Sequence, residues 1–88
     1  MAGSFTLEVV SPKGGPIKAE VTSIVLPGAA GFLGVLPAHE PWTVLLKAGP
    51  IAYRRPGGDW EHIDIGGGVA SVDGMGAFVL ADPVAEDD

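Results

Sequence analysis

Apolar and polar residues alternate along most of this 88-residue chain with the period of two that marks strands buried on one face. Phe5, Leu7 and Val9 interleave with Thr6 and Glu8, and Ser11-Pro12-Lys13-Gly14-Gly15-Pro16 then reads as a turn. From Ile17 the alternation is clean to Thr22, after which Ile24, Val25 and Leu26 are apolar on both parities. A bulge that shifts the phase at Thr22, or a strand end covered on both faces, accounts for the change. Downstream, residues 42–46 predict a strand closed by Ala48-Gly49-Pro50, and residues 51–55 predict another. Pro56-Gly57-Gly58-Asp59 has the composition of a hairpin connection, and residues 60–65 form its return. Gly66-Gly67-Gly68 breaks the run, residues 69–72 resume it, and Asp73-Gly74 turns the chain into residues 77–81.

The run from Pro27 to Pro41 departs from this pattern, and the rest of the chain is organised around it. It places glycines at 28, 31 and 34 and prolines at 27, 37 and 41 among small apolar residues, so it is expected to be a built loop rather than a helix or a clean strand. Glycine where φ must be positive and proline where φ must be fixed hold a chain in one shape with apolar side chains half exposed. Such a surface faces a partner. With no helical periodicity anywhere, the expected fold is all-β: a small antiparallel β-sandwich or flattened barrel of seven to ten short strands. One domain over residues 1–82 and an acidic tail over 83–88 complete the expected organisation.

Size and charge narrow the function. A chain this short buries only about 60–65 % of its unfolded surface, and with no cysteine it has no disulfide to compensate, so stability rests on packing or on a partner. Five basic residues against eleven acidic ones give a formal net charge of −6, and no basic cluster exceeds Arg54-Arg55, which argues against nucleic acid. The start of the chain shows no basic, then apolar, secretory pattern, and a cytosolic setting is compatible. Residues 21–38 carry no charge, but Pro27, Pro37 and three glycines would leave backbone groups unpaired in lipid, so a membrane span is rejected.

Little here suggests catalysis. His62 lies near Glu61 and Asp64, yet no potential ligands recur at a spacing that would surround a metal. Ser11, Ser23 and Ser71 lack a nucleophile-elbow context. The glycine run 66–68 leads into another strand, not a helix N-terminus, so it fails as a phosphate loop and is expected to let two backbones approach or to turn a corner. For His39, fixed beside Pro37 and Pro41, a structural hydrogen bond and a partner contact both stand open. A carrier-domain reading, with Lys47 as the attachment point for biotin or lipoate at a hairpin turn, is the alternative, although the usual flanking residues are missing.

The order Leu7-Glu8-Val9-Val10-Ser11-Pro12, Leu26-Pro27-Gly28, Gly31-Phe32-Leu33-Gly34-Val35-Leu36-Pro37-Ala38-His39-Glu40-Pro41 and Leu46-Lys47-Ala48-Gly49 resembles the N-terminal β-sandwich of the epsilon subunit of F-type ATP synthases. Ile65-Gly66-Gly67-Gly68 and Val79-Leu80-Ala81-Asp82 continue the likeness over essentially the whole chain. The resemblance implies a rotor subunit that couples the gamma subunit and the c-ring during ATP synthesis driven by ion transport. It would carry no chemistry and no cofactor, lie peripheral to the cytoplasmic face of the inner (plasma) membrane, and form no stable homo-oligomer. It implies a partner interface at Gly31, Phe32, Leu33, Gly34, Leu36, Pro37, His39 and Trp42, with residues 27–32 nearest the ring and 36–42 toward gamma. Many members carry an acidic residue where this chain has Phe32, so an apolar contact to the ring is expected in its place. Typical members continue into two helices that can bind ATP and inhibit hydrolysis; this chain stops at Asp88, and no ATP binding is expected of it.

Overall fold

Alternating runs become strands here, but the chain changes layer at places where the pattern breaks. The computed structural model describes residues 3–12, 14–37 and 40–84. Its elements are β1 (Phe5–Ser11), β2 (Gly14–Val21), β3 (Ser23–Gly28), β4 (Gly31–Val35), β5 (Trp42–Arg54), β6 (Trp60–Val72) and β7 (Gly76–Ala81), hydrogen-bonded in the order β2-β1-β7-β6-β5-β3-β4. Pairing is antiparallel throughout except between β1 and β7, which run parallel. The sheet is therefore mixed. That one parallel pair joins the first strand to the last, a contact that no local pattern announces.

Three expectations from the pattern are corrected. The run after Ile17 is not one strand with a bulge, because β2 ends at Val21 and the chain bends at Thr22 and crosses to β3. Thr22 anchors the crossing by donating its N–H to the Arg54 carbonyl at 2.7 Å. Core positions accordingly move from Ala19 and Val21 to Ile24 and Leu26, which explains the change of parity. Residues 42–46 and 51–55 are not two strands but the two halves of β5, and 60–65 and 69–72 are the two halves of β6. Pro50 is tolerated because β3 has no partner for β5 between Leu46 and Ala52, so no bond to β3 is asked of its missing N–H. Finally, residues 31–35 within the supposed loop form β4.

The long strands serve both layers. The second half of β6 pairs with β7, whereas β3 pairs with the second half of β5 from Ser23 to Val25 and reaches its first half only at Gly28↔Leu46. Along both, the buried parity flips: Ile51, Tyr53 and Ile65 are buried on one side of the corner, Leu46, Ala70 and Val72 on the other. The glycine run 66–68 makes that flip possible. A Cβ on Gly66 would overlap the Pro83 carbonyl oxygen, and one on Gly68 the Leu80 carbonyl oxygen, so both expected roles, close approach and corner, are met at once. Gly67 and Gly68 also hold φ of 115° and 142°, which side chains resist.

One continuous core, including Leu7, Val21, Ile24, Leu26, Ile51 and Val79, fills the space between the layers. No polar or charged side chain is buried among the described residues. Backbone pairing extends to Asp82, which exchanges bonds with Gly66 and Gly67; residues 85–88 of the expected tail lie outside the described residues. No described element is a helix long and apolar enough to cross a membrane.

Candidate functional site: an apolar hairpin end

Residues 27–35 of the Pro27–Pro41 run fold as the end of a hairpin formed by β3 and β4. β3 and β4 pair from Ile24↔Val35 to Gly28↔Gly31 around a two-residue turn, Ala29-Ala30. Gly28 is required there, because a Cβ would come within 2.7 Å of the Gly31 carbonyl oxygen and 3.7 Å of Val44 Cγ1. The tip is tied to β5 by the Ala29 N–H, which donates to the Leu45 carbonyl at 2.9 Å.

Between this tip and the start of β5 lies an open groove of about 520 Å³. Gly31, Phe32, Leu33 and Trp42, all expected from the sequence, line it together with Gly28 and Val44. Phe32 is 64 % exposed and Trp42 45 %, large values for aromatic side chains. Leu36, which follows β4, is 63 % exposed, and Pro37 after it is half-buried; Gly34 is exposed on β4, an edge strand. These three do not line the groove. His39 lies outside the described residues.

Sequence reading missed Leu45, which is 69 % exposed and lines the groove. Its neighbour Leu46 is buried, so the signal was the strict alternation of a strand, hidden inside a doublet of identical residues. Leu45 also heads a cross-strand row, Leu45–Val69–Leu80–Val10, which carries apolar surface across the outer face of four strands. Exposed apolar side chains that cluster in this way mark contact surfaces.

The other candidates separate from this end. Lys47 sits within β5 at the corner, not at a hairpin turn, so the carrier reading loses the geometry it needed. Glu61 accepts from Arg55 Nε at 2.9 Å and from the Tyr53 hydroxyl at 3.3 Å, a closed polar set on the β5–β6 hairpin. The hydrogen bond from Arg55 to Glu61, followed by their charge attraction, raises the Arg55 pKa above its ordinary value. Among the described residues, no three His, Cys, Asp or Glu side chains gather closely enough to hold a metal.

A two-layered sandwich folded from one sheet, with an apolar groove under a glycine-built hairpin, defines a β-sandwich domain with an exposed apolar end. The chain belongs to the family described as the ATP synthase Delta/Epsilon chain beta-sandwich domain, whose model matches residues 4–87. It is 43 % identical over 82 residues to the ATP synthase epsilon chain of Desulfitobacterium hafniense (strain DSM 10664 / DCB-2), covering 93 % of this chain and 61 % of that protein. With the ATP synthase epsilon chain of Solibacter usitatus (strain Ellin6076) it shares 41 % over 86 residues, covering 98 % of this chain and 63 % of that one. The chain thus spans about three fifths of the length of these relatives. The same fold occurs in a chain of the Euglena gracilis mitochondrial ATP synthase OSCP/F1/c-ring structure, at a TM-score of 0.83 and 23 % identity over 97 % of this chain and 53 % of that chain.

Proposed function

We propose that this chain is the β-sandwich of an F-type ATP synthase epsilon subunit, a non-catalytic part of the rotor that couples the gamma subunit to the c-ring. The observation that carries the reading is a coincidence of place. The Gly-x-Leu-Gly-x-Leu-Pro run that carries the family likeness also forms the apolar hairpin end, where Phe32, Leu36, Trp42 and Leu45 lie exposed. A packed sandwich is poorly compressible and transmits force through its surfaces, which suits an element that is gripped and turned. In this reading the tip of the β3–β4 hairpin meets the ring, and residues 36–42 with the outer flank meet gamma. The chain stays peripheral to the membrane through the complex, on the cytoplasmic face of the plasma membrane. Phe32 gives the ring contact an apolar character.

The test is Leu36→Asp. Leu36 is exposed, so the free chain keeps its fold, whereas an unpaired carboxylate buried at an interface costs several kcal/mol. Co-purification with gamma is expected to fall sharply. If gamma is retained undiminished, the contact surface lies elsewhere.

A further inference from the structure

The two edges of the sheet are built differently. β2 is blunted: Pro16 lacks an N–H, and Lys18 and Glu20 stand exposed along it. β4, at the opposite edge, reads Gly-Phe-Leu-Gly-Val, with neither charge nor proline. Because Gly28 and Gly31 close a two-residue turn, their N–H and C=O groups face each other across the hairpin. By alternation Leu33 and Val35 bond toward β3, and Phe32 and Gly34 direct their main-chain groups away from it. Gly34 has open space around it, since a Cβ there would meet nothing within 4 Å.

We infer that β4 takes up an added strand: an extended, uncharged segment of the gamma subunit pairs with Gly31–Val35 through the outward main-chain groups of Phe32 and Gly34. The inference rests on the rotor reading above and specifies how gamma is held. A second copy of this chain is a poor occupant, because edge-to-edge pairing sets two molecules of formal net charge −6 side by side. A body met at the hairpin tip covers Ala29 and Ala30 but not the flank of a five-residue strand, which leaves the edge to the neighbour alongside. The edge is continuous with the exposed Leu36, so main-chain bonds supply affinity while this side chain supplies specificity.

Amide hydrogen exchange on the 88-residue chain, alone and bound to gamma, tests this directly. The Phe32 and Gly34 amides are expected to exchange rapidly in the free chain and at least about tenfold more slowly in the complex, with the amides of β2 unchanged. Gly34→Pro removes an outward donor without taking a bond from β3 and is expected to weaken gamma binding at least about tenfold, whereas Gly34→Ala, which keeps the N–H, binds as the unsubstituted chain does. Unprotected Phe32 and Gly34 amides in an intact gamma complex overturn strand addition and leave the rotor reading standing. Failure of the unsubstituted chain to bind gamma overturns both. Protection of the same amides in the free chain on raising its concentration assigns the edge to a second copy and overturns the inference. The exchange experiment needs no substitution, so it decides the matter even if Gly34→Pro fails to fold.

Discussion

The molecule has two prominent hairpins, and they finish in opposite ways. The β5–β6 hairpin pairs its polar groups within itself while leaving Trp60 51 % exposed: Arg54 Nε donates to the Gly58 carbonyl at 2.9 Å, Arg55 pairs with Glu61, and the Arg55 guanidinium lies 5.8 Å from the centroid of the Tyr53 ring. The β3–β4 hairpin puts Phe32 into water and, with β5, encloses an apolar groove. Both tips are short, both use glycine, and both join antiparallel strands. What differs is that the β5–β6 end joins polar side chains to one another, whereas the β3–β4 end gathers Phe32, Trp42 and Leu45 around one groove. Clustered aromatic and aliphatic surface gains free energy when something covers it, more than a single exposed side chain does.

The largest expected effect removes the comparison altogether. Gly68→Val drives a Cβ into the Leu80 carbonyl at a position with φ of 142°, so the corner from which both hairpins extend cannot form. Urea unfolding is expected to show a loss of about 3 kcal/mol or more, or no cooperative transition at all. A near-normal transition would mean that the corner can be rebuilt without close approach. Leu45→Ser sharpens the contrast, because it changes only the uncovered end. Gamma affinity is expected to fall about tenfold, while the free chain loses less than about 1 kcal/mol. Equal losses in both measurements would show that Leu45 supports the fold rather than the contact.

Subtler still is Phe32→Glu, which gives the tip an acidic character. Docking to the c-ring is expected to become more salt-sensitive than in the unsubstituted chain, read as the slope of binding against ionic strength. Parallel slopes would place Phe32 away from the ring. Smallest of all is Arg55→Ala at the β5–β6 hairpin. An exposed ion pair contributes little, so melting temperature and gamma binding are both expected to stay close to those of the unsubstituted chain. A clear loss of gamma binding would show that this end, too, is in contact.

Much of the fold was legible because strand alternation is local. Phe5, Leu7 and Val9 are buried as their spacing requires, and Asp73 caps the turn into β7 by accepting from the Met75 and Gly76 amides at 2.8 and 3.0 Å. The candidate site was legible in part. Phe32, Leu33 and Trp42 converge on the groove, but Leu45 and the row through Val69 and Leu80 emerge only when strands distant in sequence are set in register.

The amino-acid order by itself determined the strands, the turns, the absence of a helical pattern and the glycine and proline run that marks the apolar hairpin end. It could do so because φ restriction and side-chain period act within a few residues. Only the tertiary structure decided that β1 and β7 run parallel, that β5 and β6 each bend through both layers, and that β4 stands at an open edge while β2 stands at a guarded one. Those outcomes depend on which residues meet across long stretches of chain. Each strand can satisfy its backbone against several partners, and burial of one shared core selects among them.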